Sequence, residues 1–294
     1  MSRILFEGSG TALVTPYTQD GKVNYRKLDE LIEFQIENGT DAILVCGTTG
    51  EASTMTDKVQ SNIVRHAAKT IAGRVKLLAG AGSNDTMHGV KLSQMVQEAG
   101  ADAILSVTPY YNKTTQKGLI EHYTAIAKGV DVPIILYNVP SRTGVNIAPE
   151  TVLRLSEIPN IWGIKECNFS QASKIKNLCG DDFAIYSGED ALVVPLLSLG
   201  GNGVISVVSN IMPKEMSRMV HYFLNGNVKE AAQIQLYLMD LIDVLFCEVN
   251  PIPVKTALNL IGKNVGGCIP PLTTIEPENY RKIDKVLRSY GLII

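Results

Sequence analysis

The chain has no two cysteines close enough to make a metal or redox motif. Cys46, Cys167, Cys179, Cys247 and Cys268 are odd in number and scattered over 294 residues without a CxxC pair. That excludes a disulfide framework and a cysteine zinc site, and Cys46 and Cys167 read as small buried hydrophobes. Histidine is scarce too. His66, His88, His122 and His221 stand far apart, each on a predicted helix, with no metal-ligand spacing and no Ser/Cys–His arrangement. No uncharged apolar run reaches the roughly 18 residues of a membrane span. Charge of one sign is also missing: 27 basic residues meet 29 acidic ones for a net −2, so neither nucleic acid nor a membrane surface is indicated. Met1–Gly8 lacks the apolar core of a signal peptide, because Glu7 and Gly8 interrupt Ile4-Leu5-Phe6. A cytoplasmic protein with no metal and no cofactor is the expectation.

What the chain does have is a 45% hydrophobic composition and a steady alternation of two patterns. Apolar, β-rich runs occur at Gly10–Val14, Ala42–Cys46, Lys76–Gly80, Ala103–Val107, Ile134–Tyr137, Ile161–Lys165, Ala184–Ser187 and Gly203–Val207. Amphipathic helical patterns such as Tyr25–Asn38, Asp57–Ala72, Thr86–Ala99 and Thr115–Lys128 lie between them. Near-continuous apolar strands separated by helices predict a buried parallel sheet. Eight such units in about 225 residues match a (β/α)8 TIM barrel. An open doubly wound sheet would carry a Gly-rich phosphate loop after its first strand, and here Thr15-Pro16-Tyr17 follows instead. After Asn210 the pattern is helical: Lys214–Leu224, Val228–Val249, Pro253–Ile261 and Glu278–Tyr290. The expected organisation is an α/β barrel over residues 1–225 with an appended C-terminal helical segment over 226–294, a segment suited to an oligomer interface.

Barrels of this kind build their sites at the C-terminal ends of the strands. Lys165 ends one strand, and alternation places it with Ile161 and Gly163 on one face, opposite Trp162, Ile164 and Glu166. Turned inward, a lysine loses hydration and its charged form is disfavoured. A neutral amine attacks carbonyls; making one at pH 7 from an ordinary lysine costs about 4–5 kcal/mol, which burial can largely remove. Tyr137 shares that interior on the adjacent strand and offers a phenol for proton transfer. Thr48 and Thr49, in Gly47-Thr48-Thr49-Gly50-Glu51, supply hydroxyls and loop amides suited to a carboxylate. Arg142 presents a fork for a substrate carboxylate, and Gly188 and Gly203 permit close approach to a ligand. Glu189 and Asp190 read as the start of a helix. An amine, a proton relay and anion donors without metal ligands fit imine chemistry on a small oxo-acid.

These segments, with Pro109-Tyr110-Tyr111-Asn112-Lys113, Tyr137 to Gly144, Gly163-Ile164-Lys165-Glu166, Gly203-Val204-Ile205-Ser206 and Asn250-Pro251-Ile252-Pro253-Val254-Lys255, resemble the dihydrodipicolinate synthase (4-hydroxy-tetrahydrodipicolinate synthase) family over essentially the whole chain. The Lys and the Tyr-Asn-x-Pro element are shared across pyruvate-dependent aldolases, while the Ser-Arg-Thr-Gly extension and the Thr-Thr pair are more specific to the synthase. The resemblance implies a lyase of the diaminopimelate branch of lysine biosynthesis, in which Lys165 forms a Schiff base with pyruvate. It further implies Tyr137 as proton donor and acceptor, linked through Thr48 to Tyr111. Thr49 and the Ile205 backbone would bind pyruvate, and Arg142 the carboxylate of L-aspartate 4-semialdehyde. Tyr110 would neighbour the relay at a tight-dimer interface; which of the two tyrosines crosses that interface stays open. A homotetramer, a dimer of dimers, is implied.

Other Schiff-base aldolases, such as N-acetylneuraminate lyase or a 2-keto-3-deoxy sugar acid aldolase, are the nearest alternatives, and Arg142 with Thr48-Thr49 favours the synthase. A non-catalytic small-molecule-binding barrel is the alternative from another class. Lysine-inhibited relatives tend to carry histidines and a glutamate where this chain has Asp57, Gln60 and His88, so feedback by lysine is expected to be weak or absent.

Overall fold

The computed structural model describes residues 3–294. Eight parallel strands close into a barrel in sequence order: β1 (Gly8–Ala12), β2 (Ala42–Val45), β3 (Lys76–Gly80), β4 (Ala103–Val107), β5 (Ile134–Asn138), β6 (Ile161–Glu166), β7 (Ala184–Ser187) and β8 (Gly203–Ser206). The helices between them are α1 (Tyr25–Glu37), α2 (Asp57–Ile71), α3 (Thr86–Glu98), α4 (Gln116–Lys128), α5 (Pro140–Thr143), α6 (Pro149–Ser156), α7 (Ala172–Cys179) and α8 (Val193–Ser198). Beyond β8 lie α9 (Pro213–Leu224), α10 (Val228–Tyr237), α11 (Met239–Leu245), α12 (Ile252–Leu260) and α13 (Pro277–Ser289). The expected TIM barrel with C-terminal helices is therefore the fold. Among the described residues no helix is long and apolar enough to cross a membrane.

Two shells of apolar side chains hold it together. Inside the barrel, small residues (Ala12, Ala42, Ala103, Ala184) interleave with Leu44, Leu78, Leu105, Ile135, Tyr186 and Ile205, which fills a narrow lumen without strain. The N-terminal segment closes the lower end: the Phe6 ring stacks on Tyr186 with centroids 4.4 Å apart, and the Tyr186 hydroxyl donates to the Phe6 carbonyl at 2.8 Å. The outer shell lies between strands and helices, and the C-terminal helices join it through Leu238, Leu241, Leu245, Val254, Leu258, Ile283 and Leu287. Each such side chain contributes about 1.5–3 kcal/mol when removed from water. Side-chain caps from Asn24, Thr56, Asp85 and Thr115 start α1 to α4 by accepting otherwise unpaired N–H groups.

Three expectations are corrected. β1 begins at Gly8 rather than Gly10 and stops at Ala12. Its partner β8 comes so near that a Cβ on Gly203 would lie 2.0 Å from the Gly8 carbonyl oxygen, so the close approach expected at Gly203 is made by the β1 backbone and not by a ligand. In β6 the pairing shifts between Ile134↔Ile161 and Ile135↔Gly163, a bulge at Trp162 that breaks strict alternation. Ile161 consequently sits in the outer shell, while Trp162 packs against the lumen cluster. Finally, Val228–Val249 is two helices meeting at Leu238. Hydrogen bonds from Leu238 N–H to Ile234 and from Ile242 N–H to Leu238 nevertheless run across the junction.

Candidate active site

The bulge leaves Lys165 aimed into the lumen at the upper end of β6. Only 5% of it is exposed. Burial lowers its pKa, against the opposing influence of the Cys167 thiol and the Asp190 and Glu189 carboxyls. Its Nζ lies 4.6 Å from the centre of the Tyr137 ring. Burial pushes the Tyr137 phenol far above its ordinary range, with Cys167 adding to the rise and Arg142 and a hydrogen bond with Thr48 opposing it. The phenol therefore keeps its proton at neutral pH while the amine is primed to lose one.

One residue further on, where the side chains face outward, Asn138 and Glu166 are paired in register. Glu166 Oε1 accepts from Asn138 Nδ2 at 2.7 Å and from the Asn168 amide at 2.6 Å, and Oε2 accepts from Gln171 Nε2 at 2.9 Å. Burial raises the Glu166 carboxyl to about 7 in spite of these donors. Asn138 Nδ2 also donates to Asn146, and Asn138 Oδ1 accepts from the Ile147 amide at 3.0 Å. This network ties the upper ends of β5 and β6 together behind Tyr137 and Lys165. The sequence assigns neither residue a role, although Glu166 lies in the Gly163-Ile164-Lys165-Glu166 segment and a carboxylate ending an apolar strand is a signal for one.

The loop after β2 is held from the C-terminal segment. Thr49, 3% exposed, accepts from Asn250 Nδ2 at 2.8 Å. Glu51 sits at φ 61° and is fully buried against Lys255, whose Nζ reaches Glu51 Oε1 at 2.8 Å and the Thr15 carbonyl at 3.0 Å. Lys255 Nζ also bonds the Gly267 carbonyl and lies 4.5 Å over the Tyr17 ring, and the Ile269 amide donates to Glu51 Oε2 at 2.7 Å. The Asn-Pro-Ile-Pro-Val-Lys segment thus clamps the threonine loop, a task for Asn250 and Lys255 that spacing alone did not disclose.

A cavity of about 250 Å³ opens above Lys165, lined by Thr48, Thr49, Tyr137, Arg142, Gly188, Glu189 and Asn250 among others. The structure thus gathers six of the nine expected site residues around this cavity; Ile205 is buried on β8, two places before the lining Val207. Gly188 must be glycine, since a Cβ there would lie 2.3 Å from Cys167 Sγ and 3.2 Å from Lys165 Cε. Tyr110 lines an adjoining space of about 370 Å³ with Asp57 and His88. Tyr111 joins neither: it stands at φ 71° on the loop after β4 and is 92% exposed, so a single chain does not bring it to Thr48 and Tyr137. Among the described residues no cluster of His, Cys, Asp and Glu is arranged to hold a metal ion.

Comparison with known proteins gives consistent matches. The model of the dihydrodipicolinate synthetase family matches residues 5–290. The 4-hydroxy-tetrahydrodipicolinate synthase of Acetivibrio thermocellus is 55% identical over 293 residues, all of both chains. The crystal structure of dihydrodipicolinate synthase from Aquifex aeolicus superposes with a TM-score of 0.96 at 46% identity, covering 98% of this chain and 99% of that one. That of the Acinetobacter baumannii enzyme, complexed with pyruvate, has a TM-score of 0.96 at 40% identity and covers 98% and 100%.

Proposed function

The chain belongs to the dihydrodipicolinate synthetase family, and we propose that Lys165 is the amine on which its reaction runs. The activity is that of a 4-hydroxy-tetrahydrodipicolinate synthase, a lyase of diaminopimelate and lysine biosynthesis that condenses pyruvate with L-aspartate 4-semialdehyde. What carries the assignment of Lys165 is one arrangement: a buried amine with a lowered pKa, 4.6 Å from the ring centre of a phenol that keeps its proton.

Neutral Nζ attacks the keto carbon of pyruvate. Tyr137 gives its proton to the developing alkoxide and, after recovering one, assists departure of the hydroxyl as water, leaving an iminium. Loss of a methyl proton makes the enamine, whose carbon attacks the aldehyde of the second substrate. The hydroxyls of Thr48 and Thr49 and the Ile205 backbone hold the pyruvyl carboxylate and the relay, and Arg142 takes the carboxylate of the aldehyde. The amino group of the second substrate then forms the ring C–N bond as the bond to Lys165 breaks, and Nζ returns as the free amine.

Tyr111 completes the relay from a neighbouring subunit in this proposal. Its exposure at a left-handed backbone position supports that role; a dimer-of-dimers assembly and a cytoplasmic location belong to the same proposal. Borohydride reduction in the presence of pyruvate tests the assignment. An irreversible adduct should form and map to Lys165; an adduct on another lysine, or none, overturns it.

A further inference from the structure

L-aspartate 4-semialdehyde carries an ammonium and a carboxylate on the same carbon. A site that recognises it by charge therefore needs a cation and an anion within one small molecule's width. Arg142 and Glu189 both line the cavity above Lys165. Neither belongs to any ion pair among the described residues. A guanidinium and a carboxylate left unpaired in one small cavity match a zwitterion.

Glu189 is also held in place. Its amide donates to Ser187 Oγ at 3.2 Å, and Ser187 Oγ donates to the Glu189 carbonyl at 2.8 Å, so the backbone is fixed to the end of β7. The side-chain partner of its carboxyl is the Cys167 thiol, a weak donor that a substrate ammonium readily displaces. Burial raises the carboxyl's pKa, with the neighbouring Asp190 adding to the rise and Lys165 and Arg142 opposing it. That makes it a better proton acceptor than an exposed glutamate.

We propose that Glu189 binds the α-ammonium of the aldehyde substrate and accepts its proton for ring closure. This role depends on the synthase reading of the site and names the group that selects an α-amino aldehyde over its deamino analogue. Once the C–C bond is made, the ammonium passes one proton to the Glu189 carboxylate. The freed lone pair forms a C–N bond to the iminium carbon. A second proton moves from that nitrogen to the lysine nitrogen, whose bond to carbon breaks so that Nζ leaves as a neutral amine. The new ring iminium keeps the positive charge, and Glu189 releases its proton to solvent.

The test uses the full-length enzyme with Glu189→Gln and Glu189→Asp. For each, kcat/KM with L-aspartate 4-semialdehyde is measured beside the inhibition constant of succinic semialdehyde, the same aldehyde acid without the amino group. Borohydride trapping of pyruvate on Lys165 is followed in parallel. Glu189→Gln is expected to lower kcat/KM about 10- to 100-fold, the loss of one charge-assisted hydrogen bond, raising KM through the lost ammonium contact and lowering kcat through the lost proton acceptor. Affinity for succinic semialdehyde and trapping should stay within about twofold, and Glu189→Asp should recover part of the loss. Equal losses toward both aldehydes, or an unchanged kcat/KM, overturn the proposal. Absence of trapping in the unsubstituted enzyme overturns the reading beneath it, and the proposal with it.

Discussion

Tyr137 and Lys165 are register partners on adjacent strands, and the amine of one lies 4.6 Å from the ring centre of the other. The sheet itself sets this spacing, because paired residues on parallel strands point the same way. Removing only the hydroxyl, by Tyr137→Phe, keeps the ring and deletes the proton donor. Turnover should fall about 10²- to 10⁴-fold, the range for loss of a general acid–base group. Slow borohydride trapping on Lys165 should survive. Loss of less than about tenfold in kcat would remove the phenol from the mechanism.

Gly188 bears on the same amine from the other side. A Cβ there would lie 2.3 Å from Cys167 Sγ and 3.2 Å from Lys165 Cε, so Gly188→Ala must push one of them aside. Pyruvate trapping is expected to slow at least about tenfold, in line with the cost of overpacking a buried site. Adding Cys167→Ala removes the sulfur and should restore much of the rate. If the double variant were no faster than Gly188→Ala alone, the sulfur would not be what stands in the way.

The fold and most of the site were legible in the sequence because both depend on local pattern. Lys76–Gly80, Ala103–Val107 and Ala184–Ser187 are strands with the bounds their apolar runs predict. The strand-end rule points to Lys165, Tyr137, Thr48 and Arg142, which line one cavity. What stayed hidden depends on chain segments far apart. The apolar run places Gly203 in a strand but does not disclose that its backbone meets Gly8 across the barrel seam. The bulge at Trp162 comes from pairing with β5, which no single strand encodes. Asn250 and Lys255 reach Thr49 and Glu51 across more than 200 residues, and no spacing rule spans such a gap.

Lys255 and Glu51 make the next prediction. Their ion pair is sealed from water, with side-chain exposures of 2% and 0%. Lys255→Met leaves a buried carboxylate alone, which costs about 3–5 kcal/mol. Thermal unfolding should shift down by roughly 6–20 °C for a chain of this size. Combining Lys255→Met with Glu51→Gln leaves no isolated charge and should recover part of the shift. A double variant as unstable as the sum of the singles would show that the pair is not coupled.

Feedback by lysine should be weak or absent. Asp57, one of the positions corresponding to the effector contacts of lysine-inhibited relatives, already pairs with His88 at 2.8 Å and Lys91 at 3.8 Å. Gln60 is neutral and donates to the Ala52 carbonyl at 3.1 Å. An incoming ammonium therefore finds its carboxylate engaged by other cations or donors. Sub-millimolar inhibition by lysine in a purified assay would refute this.

Burying Lys165 should cost the protein stability in a pH-dependent way. Its pKa is lowered in the fold, chiefly by burial, while the unfolded chain titrates near the ordinary value of about 10.4. Between the two values the unfolded state binds more protons than the folded one, so stability rises with pH across that window. Below it both states are charged and the full penalty is present; above about 10.4 both are neutral and it is gone. Lys165→Met keeps the apolar stem and removes the charge. It should therefore unfold at a higher denaturant concentration than the unsubstituted chain at pH 7, with the difference shrinking as pH rises past the lowered folded value toward about 10.4. Taking the difference at each pH cancels the titration of groups shared by both proteins. A difference that is constant with pH, or that grows as pH rises, would mean the amine is solvated and its attack on pyruvate must be activated by some other group.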